Sequence, residues 1–133
     1  MIDIENIVIN TVAEAVWVSF PNADVTSDYN PTPETFPCVF IYEASNTAHT
    51  QTFDDALKDN NANVMYQVDI FALNKADAKS IRDIVDTAMQ GMKFTRDYSA
   101  PTLNVDRTIK RYTSRYTAVV SELKNNKYQM YRS

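Results

Sequence analysis

Only one of the 133 residues is glycine, Gly91. Average usage of about 7% would give about nine, so phosphate-cradling loops written with two or three glycines are excluded, as is the G-x-S-x-G nucleophile elbow. One cysteine and one histidine likewise exclude a closed Cys/His zinc site and an internal disulfide. No metal, cofactor or catalytic residue is expected. The length suits a single domain, residues 1–133, able to bury roughly 65–70% of its unfolded surface without staples. With 44% apolar and 23% charged residues the composition is that of an ordinary globular chain. Asp3, Glu5 and Glu14 interrupt the N-terminal stretch, which does not read as a signal peptide, and no run approaches the 18 apolar residues of a membrane span. Folding in a cytoplasm is therefore expected, and the unpaired Cys38 suits a reducing compartment.

The hydrophobic period orders the chain. Ile4, Ile7, Val8, Val12 and Ala15 share one face of a helix over 3–20, stopped by Pro21 and Asn22. Trp17, with Ile9, Ala13 and Phe20 near it, gives that helix a second apolar side, either sandwiched within the fold or shared with a neighbouring copy. Strands are expected over 23–29 and 38–43, the second a continuous apolar run that reads as covered on both faces, with Pro31, Pro33 and Pro37 keeping the link extended. Cys38 then reads as a small buried hydrophobe. Residues 45–63 are polar and without period, and are expected to form a long mobile loop containing His49, Asp54, Asp55, Lys58 and Asp59.

The alternation of residues 64–73 is the best strand signal, and a helix follows with Asn74 as its N-cap and Ala78, Ile81, Ile84, Val85, Ala88, Met89 and Met92 as its apolar stripe. Gly91 is read as its left-handed terminator. Lys79 with Asp83 and Arg82 with Asp86 are placed on the solvated face at i,i+4 spacing. A strand over 93–98, a turn through Ala100, Pro101 and Asn104, a long strand over 108–121 and a tail over 122–133 complete the chain. The fold class is α+β, a mainly antiparallel sheet backed by two helices in the order α-β-β-(long loop)-β-α-β-β(-β).

Charge is unevenly spread. Residues 1–60 hold ten acids and one base, residues 61–106 six acids and five bases, and residues 107–133 seven bases and one acid. Opposite poles on one chain suit head-to-tail self-association, although the same charges can pair within the monomer. Arg111 and Arg115 fall on one face of the long strand about 13 Å apart and can reach separate carboxylates on another surface. Candidate subunit contacts are Asp54, Asp55, Lys58 and Asp59 in the loop, Lys110, Arg111 and Arg115 on the strand, and Trp17 on the first helix. A hydrolase using Asp54 and Asp55 is disfavoured because adjacent residues in an extended chain point apart. A small regulatory ligand-binding domain is the remaining alternative from another class.

The helix closed by Phe20-Pro21, the strand from Thr35 through Pro37-Cys38-Val39-Phe40-Ile41 to Glu43, the unit from Val64 to Gly91-Met92-Lys93-Phe94, and the closing strand Tyr112 to Val120 together resemble the tail-terminator, or tail-completion, proteins of long-tailed bacteriophages and their head-to-tail joining relatives. The resemblance spans about residues 1–120. It implies a non-enzymatic virion protein forming a ring, commonly of six copies, that ends the tail tube at the neck and docks to the head connector. Its implied partners are itself, the tail tube protein and the connector, with DNA passing through unbound and no membrane. Another neck or minor tail component of the same fold is the alternative within that class.

Overall fold

The computed structural model describes residues 1–48, 61–104, 106–123 and 127–132. Among them the elements run α1 (Glu5–Ser19), β1 (Asp24–Thr26), β2 (Cys38–Ala48), β3 (Asn61–Ala72), α2 (Lys75–Gly91), β4 (Thr95–Thr102), β5 (Lys110–Leu123) and β6 (Lys127–Tyr131). The sheet order is β1-β2-β3-β5-β4, and β6 pairs with the last residues of β5 in the lane that β4 occupies further back. Only β1 and β2 pair in parallel. This is the α+β arrangement that the hydrophobic pattern predicts.

Both helices lie on one face of the sheet because every long strand turns its apolar alternates that way. Val39 and Ile41 of β2, Val64, Tyr66, Val68 and Ile70 of β3, and Tyr112, Tyr116, Ala118 and Val120 of β5 are buried against Val8, Val12 and Val16 of α1 and Ile81, Val85 and Met89 of α2. Asn74 caps α2 as expected, accepting from the Asp77 N–H at 2.8 Å. The opposite face carries a smaller apolar cluster of Cys38, Phe40 and Phe71. The link between β1 and β2 folds over it, placing the Tyr29 ring edge-on to Phe40 at 5.2 Å. Covering β2 on both faces is what its unbroken apolar run requires.

Several expected boundaries move. Of the segment 45–63 expected as a loop, the described ends are strand: Ser45–Ala48 pairs with 62–65 across a bulge after Glu43. Backbone ladders do not require apolar side chains, so the polar composition of these residues hid their pairing. Residues 49–60, and with them His49, Asp54, Asp55, Lys58 and Asp59, lie outside the described residues. The strand expected over 23–29 shrinks to three residues. The tail placed at 122–133 supplies the end of β5 and the strand β6.

The turn expected at Ala100 and Pro101 is instead the end of β4, where proline is tolerated because β4 is an edge strand and needs no donor on its open side. Gly91 does not adopt a left-handed conformation. It remains helical, and Lys93 takes the positive φ of 72° where the chain leaves α2. The Lys93 N–H donates to Gln90 O at 3.0 Å and the Phe94 N–H to Met89 O at 3.0 Å, so these hydrogen bonds hold the turn without glycine.

Candidate interaction surface

The helix-free face of the sheet is organised by one residue that alternation had placed among the polar positions of β3. Asp69 is fully buried at the centre of the sheet, opposite Phe40 on β2 and Thr113 on β5. Its Oδ1 accepts from Arg111 Nη2 at 3.0 Å and Thr113 Oγ1 at 2.7 Å, and its Oδ2 from Tyr42 OH and Gln67 Nε2, both at 3.2 Å. Four donors converge on one carboxylate, which is how a buried charge is tolerated. Burial and then the charge of Asp69 push the Tyr42 hydroxyl up to about 12, which keeps it a donor. Arg111 also stacks over Phe71, 5.0 Å from the ring centre. Of the buried side-chain polar atoms in this network, Arg111 Nε lacks a hydrogen-bond partner. Burial, then the charge of Asp24, likewise pushes the Cys38 thiol up to about 12, so it is an inert core residue as expected.

The expected fate of the arginines on β5 is thus corrected for Arg111. Its Nη2 is committed to Asp69 within the fold and is not free to reach a carboxylate elsewhere. Arg115 is exposed, with its Nε donating to Gln67 Oε1 at 3.1 Å. Lys110 is exposed, and its Nζ donates to the Arg107 carbonyl at 2.9 Å. The i,i+4 pairs expected on α2 are also replaced. Arg82 bonds its immediate neighbour Asp83 at 3.0 Å, while Asp86 turns toward the sheet and takes Arg96 at 3.0 Å and the Tyr116 hydroxyl at 3.0 Å. Asp86 sits between α2 and β5, where a donor on the sheet offers better burial than a solvated lysine or arginine on its own helix. These groups line a cleft of about 540 Å³ in which both signs of charge occur side by side.

Two other clefts carry one sign each. Lys75, Arg107, Lys110 and Arg111 surround a cleft of about 610 Å³ beside the β4-β5 turn, with no carboxylate in its wall. Leu103, 98% exposed, stands at its rim. At the β1 edge, Asp24, Asp28 and Glu34 surround a cleft of about 330 Å³ whose wall holds no cation. Among the described residues, no ion pair joins the acidic N-terminal portion to the basic C-terminal one; the three that form use Asp69, Asp83 and Asp86 from the middle of the chain. Asp24, Asp28, Glu34, Lys75 and Arg107 were not singled out from the sequence. The segment charge count was the signal, but only the fold gathers these side chains.

The second apolar side of α1 is mostly turned inward, with Ala13 buried and Ile9 and Phe20 packed on the core, and leaves Trp17 outside; Ile7 of the first stripe and Val18 also face outward. Ile7 is 39%, Trp17 46% and Val18 85% exposed, although the indole Nε1 donates to the Ala23 carbonyl at 2.8 Å and anchors the ring. No helix among the described residues is long and apolar enough to cross a membrane. The architecture is therefore a helix-backed mixed sheet whose surface, among the described residues, offers separated charge and exposed apolar side chains. No protein-family model matches the chain, and no curated protein matches its sequence.

Proposed function

We propose that this chain is a structural subunit of a bacteriophage neck, which self-associates into a ring, ends the tail tube and joins it to the head connector. It acts by stoichiometric binding, its place is the virion, and DNA passes through the ring without specific contacts. The observation that supports this reading best is the set of apolar side chains that α1 leaves exposed. A helix with Ile7, Trp17 and Val18 exposed has an unpartnered surface of the kind that a neighbouring subunit covers. The sequence resemblance adds the neck and the ring.

The test is direct. Sedimentation velocity and negative-stain imaging of the purified chain over a concentration series, alone and with tail tubes, are expected to give a closed ring of fixed copy number seated on tube ends. A folded protein that remains monomeric at all concentrations and leaves the tube ends bare contradicts the proposal.

A further inference from the structure

The two single-sign clefts stand at opposite edges of one sheet and at the same end of its strands. The pairing register runs Asp24 to Cys38, Cys38 to Phe71, Phe71 to Arg111 and Arg111 to Thr102, a single row across all five strands from the acidic cleft to the basic one. Four steps of about 4.8 Å separate the row's ends by roughly 19 Å. Along the row Asp24 stands about 14 Å from Arg111 and about 19 Å from the β4 edge, and among the described residues no ion pair joins Asp24, Asp28 or Glu34 to Lys75, Arg107, Lys110 or Arg111. An acidic edge and a basic edge on opposite sides of one body form a heterologous, self-complementary pair, and contacts of that kind repeat from copy to copy.

We infer that the basic cleft of one copy receives the acidic edge of the next, with Arg107, Lys110 and Lys75 facing Asp24, Asp28 and Glu34. This rests on the ring reading and names the contact that closes it. Charge complementarity selects the occupant: one wall presents four cations and no carboxylate, the other three carboxylates and no cation. Leu103 at the rim supplies the apolar contact that an ionic interface needs at its centre, where charged pairs alone roughly break even. Arg111 contributes as a fixed floor to the cleft. Asp69 and the Phe71 ring hold its guanidinium in place, so it shapes the cleft while Arg107, Lys110 and Lys75 are left to meet the partner. Of the contacts expected from the sequence, the inference keeps Lys110 and gives it a new partner surface.

Charge reversal tests this at four exposed positions whose side chains do not support the core. R107E with K110E cancels the positive balance of the basic cleft and sets two carboxylates against the acidic edge, and D24K with E34K makes the acidic edge net positive. Each double variant is expected to keep its circular dichroism spectrum and to raise the association midpoint more than about a hundredfold, since like charges across an interface cost several kcal/mol. A 1:1 mixture of the two is expected to associate within a few fold of the unmodified chain, because each acidic edge then meets a basic one. Rings that form as usual from either variant alone overturn the inference and leave the ring reading standing, as does a mixture that fails to associate. A basic-cleft variant that assembles normally but no longer retains a DNA oligonucleotide overturns it in favour of a phosphate site. An unmodified chain that never associates overturns the ring reading as well.

Discussion

Asp69→Ala is expected to lower the unfolding free energy by about 3–5 kcal/mol, the cost of leaving one member of a buried pair without its partner. For a domain of this size that moves the melting temperature down by roughly 10–20 °C. The substitution leaves the Arg111 guanidinium between two aromatic rings with no anion to neutralise it, and removes the acceptor shared by Thr113, Tyr42 and Gln67. Thr113 retains Thr102 Oγ1 at 2.7 Å, so its hydroxyl is not stranded, and the penalty is concentrated on Arg111 and Tyr42. Combining Asp69→Leu with Arg111→Met is expected to recover most of the loss, because both charges then vanish together. Urea denaturation of the single and double variants measures the coupling. A loss below about 1 kcal/mol for Asp69→Ala alone would mean that Arg111 finds its compensation in solvent.

Phe94→Ala is the second large effect, also expected to cost about 3–5 kcal/mol by removing a fully buried aromatic ring. Phe94 is the first residue after the turn that ends α2. Its ring meets Tyr66 edge-on at 5.7 Å, its N–H closes the turn on Met89, and its carbonyl accepts from Arg132 Nη1 at 3.4 Å. The ring therefore seats the C-terminal end of α2 on the middle of the sheet. Phe94→Leu retains much of the volume and is expected to recover about half of the loss or more. The midpoint of a denaturant titration distinguishes the two. Equal losses for Ala and Leu would point to the aromatic edge contact, and a negligible loss for both would mean that α2 does not depend on this anchor.

The elements with a strong period were legible in the amino-acid order. The stripe of α2 with its Asn74 cap and the alternation of β3 and β5 all describe one-sided burial, which a linear pattern encodes directly. The hidden features depend on a second face or a distant partner. Asp69 occupies a polar slot of a regular alternation, and only the cross-strand neighbours Thr113 and Phe40, with Arg111 reaching in, show that the slot is buried. Gly91 was read as a terminator because glycine suits a left-handed backbone where the helix must end, but its backbone stays helical and Lys93 makes the turn. Pro101 reads as a turn former until β4 is known to be an edge. The charge poles were countable, but attention fell on Asp54 and Asp55 in the polar stretch. Asp24, Asp28 and Glu34, spread over eleven residues that include Pro31 and Pro33, become a cleft only when the link doubles back over β2.

Zero-length carbodiimide coupling of an equal mixture of isotopically light and heavy chains, read by mass spectrometry, tests the self-association of opposite edges most directly. Mixed-isotope links from Lys110 or Lys75 to Asp24, Asp28 or Glu34 are the expected products, and their mixed label marks them as bonds between copies. Assembled protein that yields abundant links elsewhere and none between these two sets of side chains contradicts it.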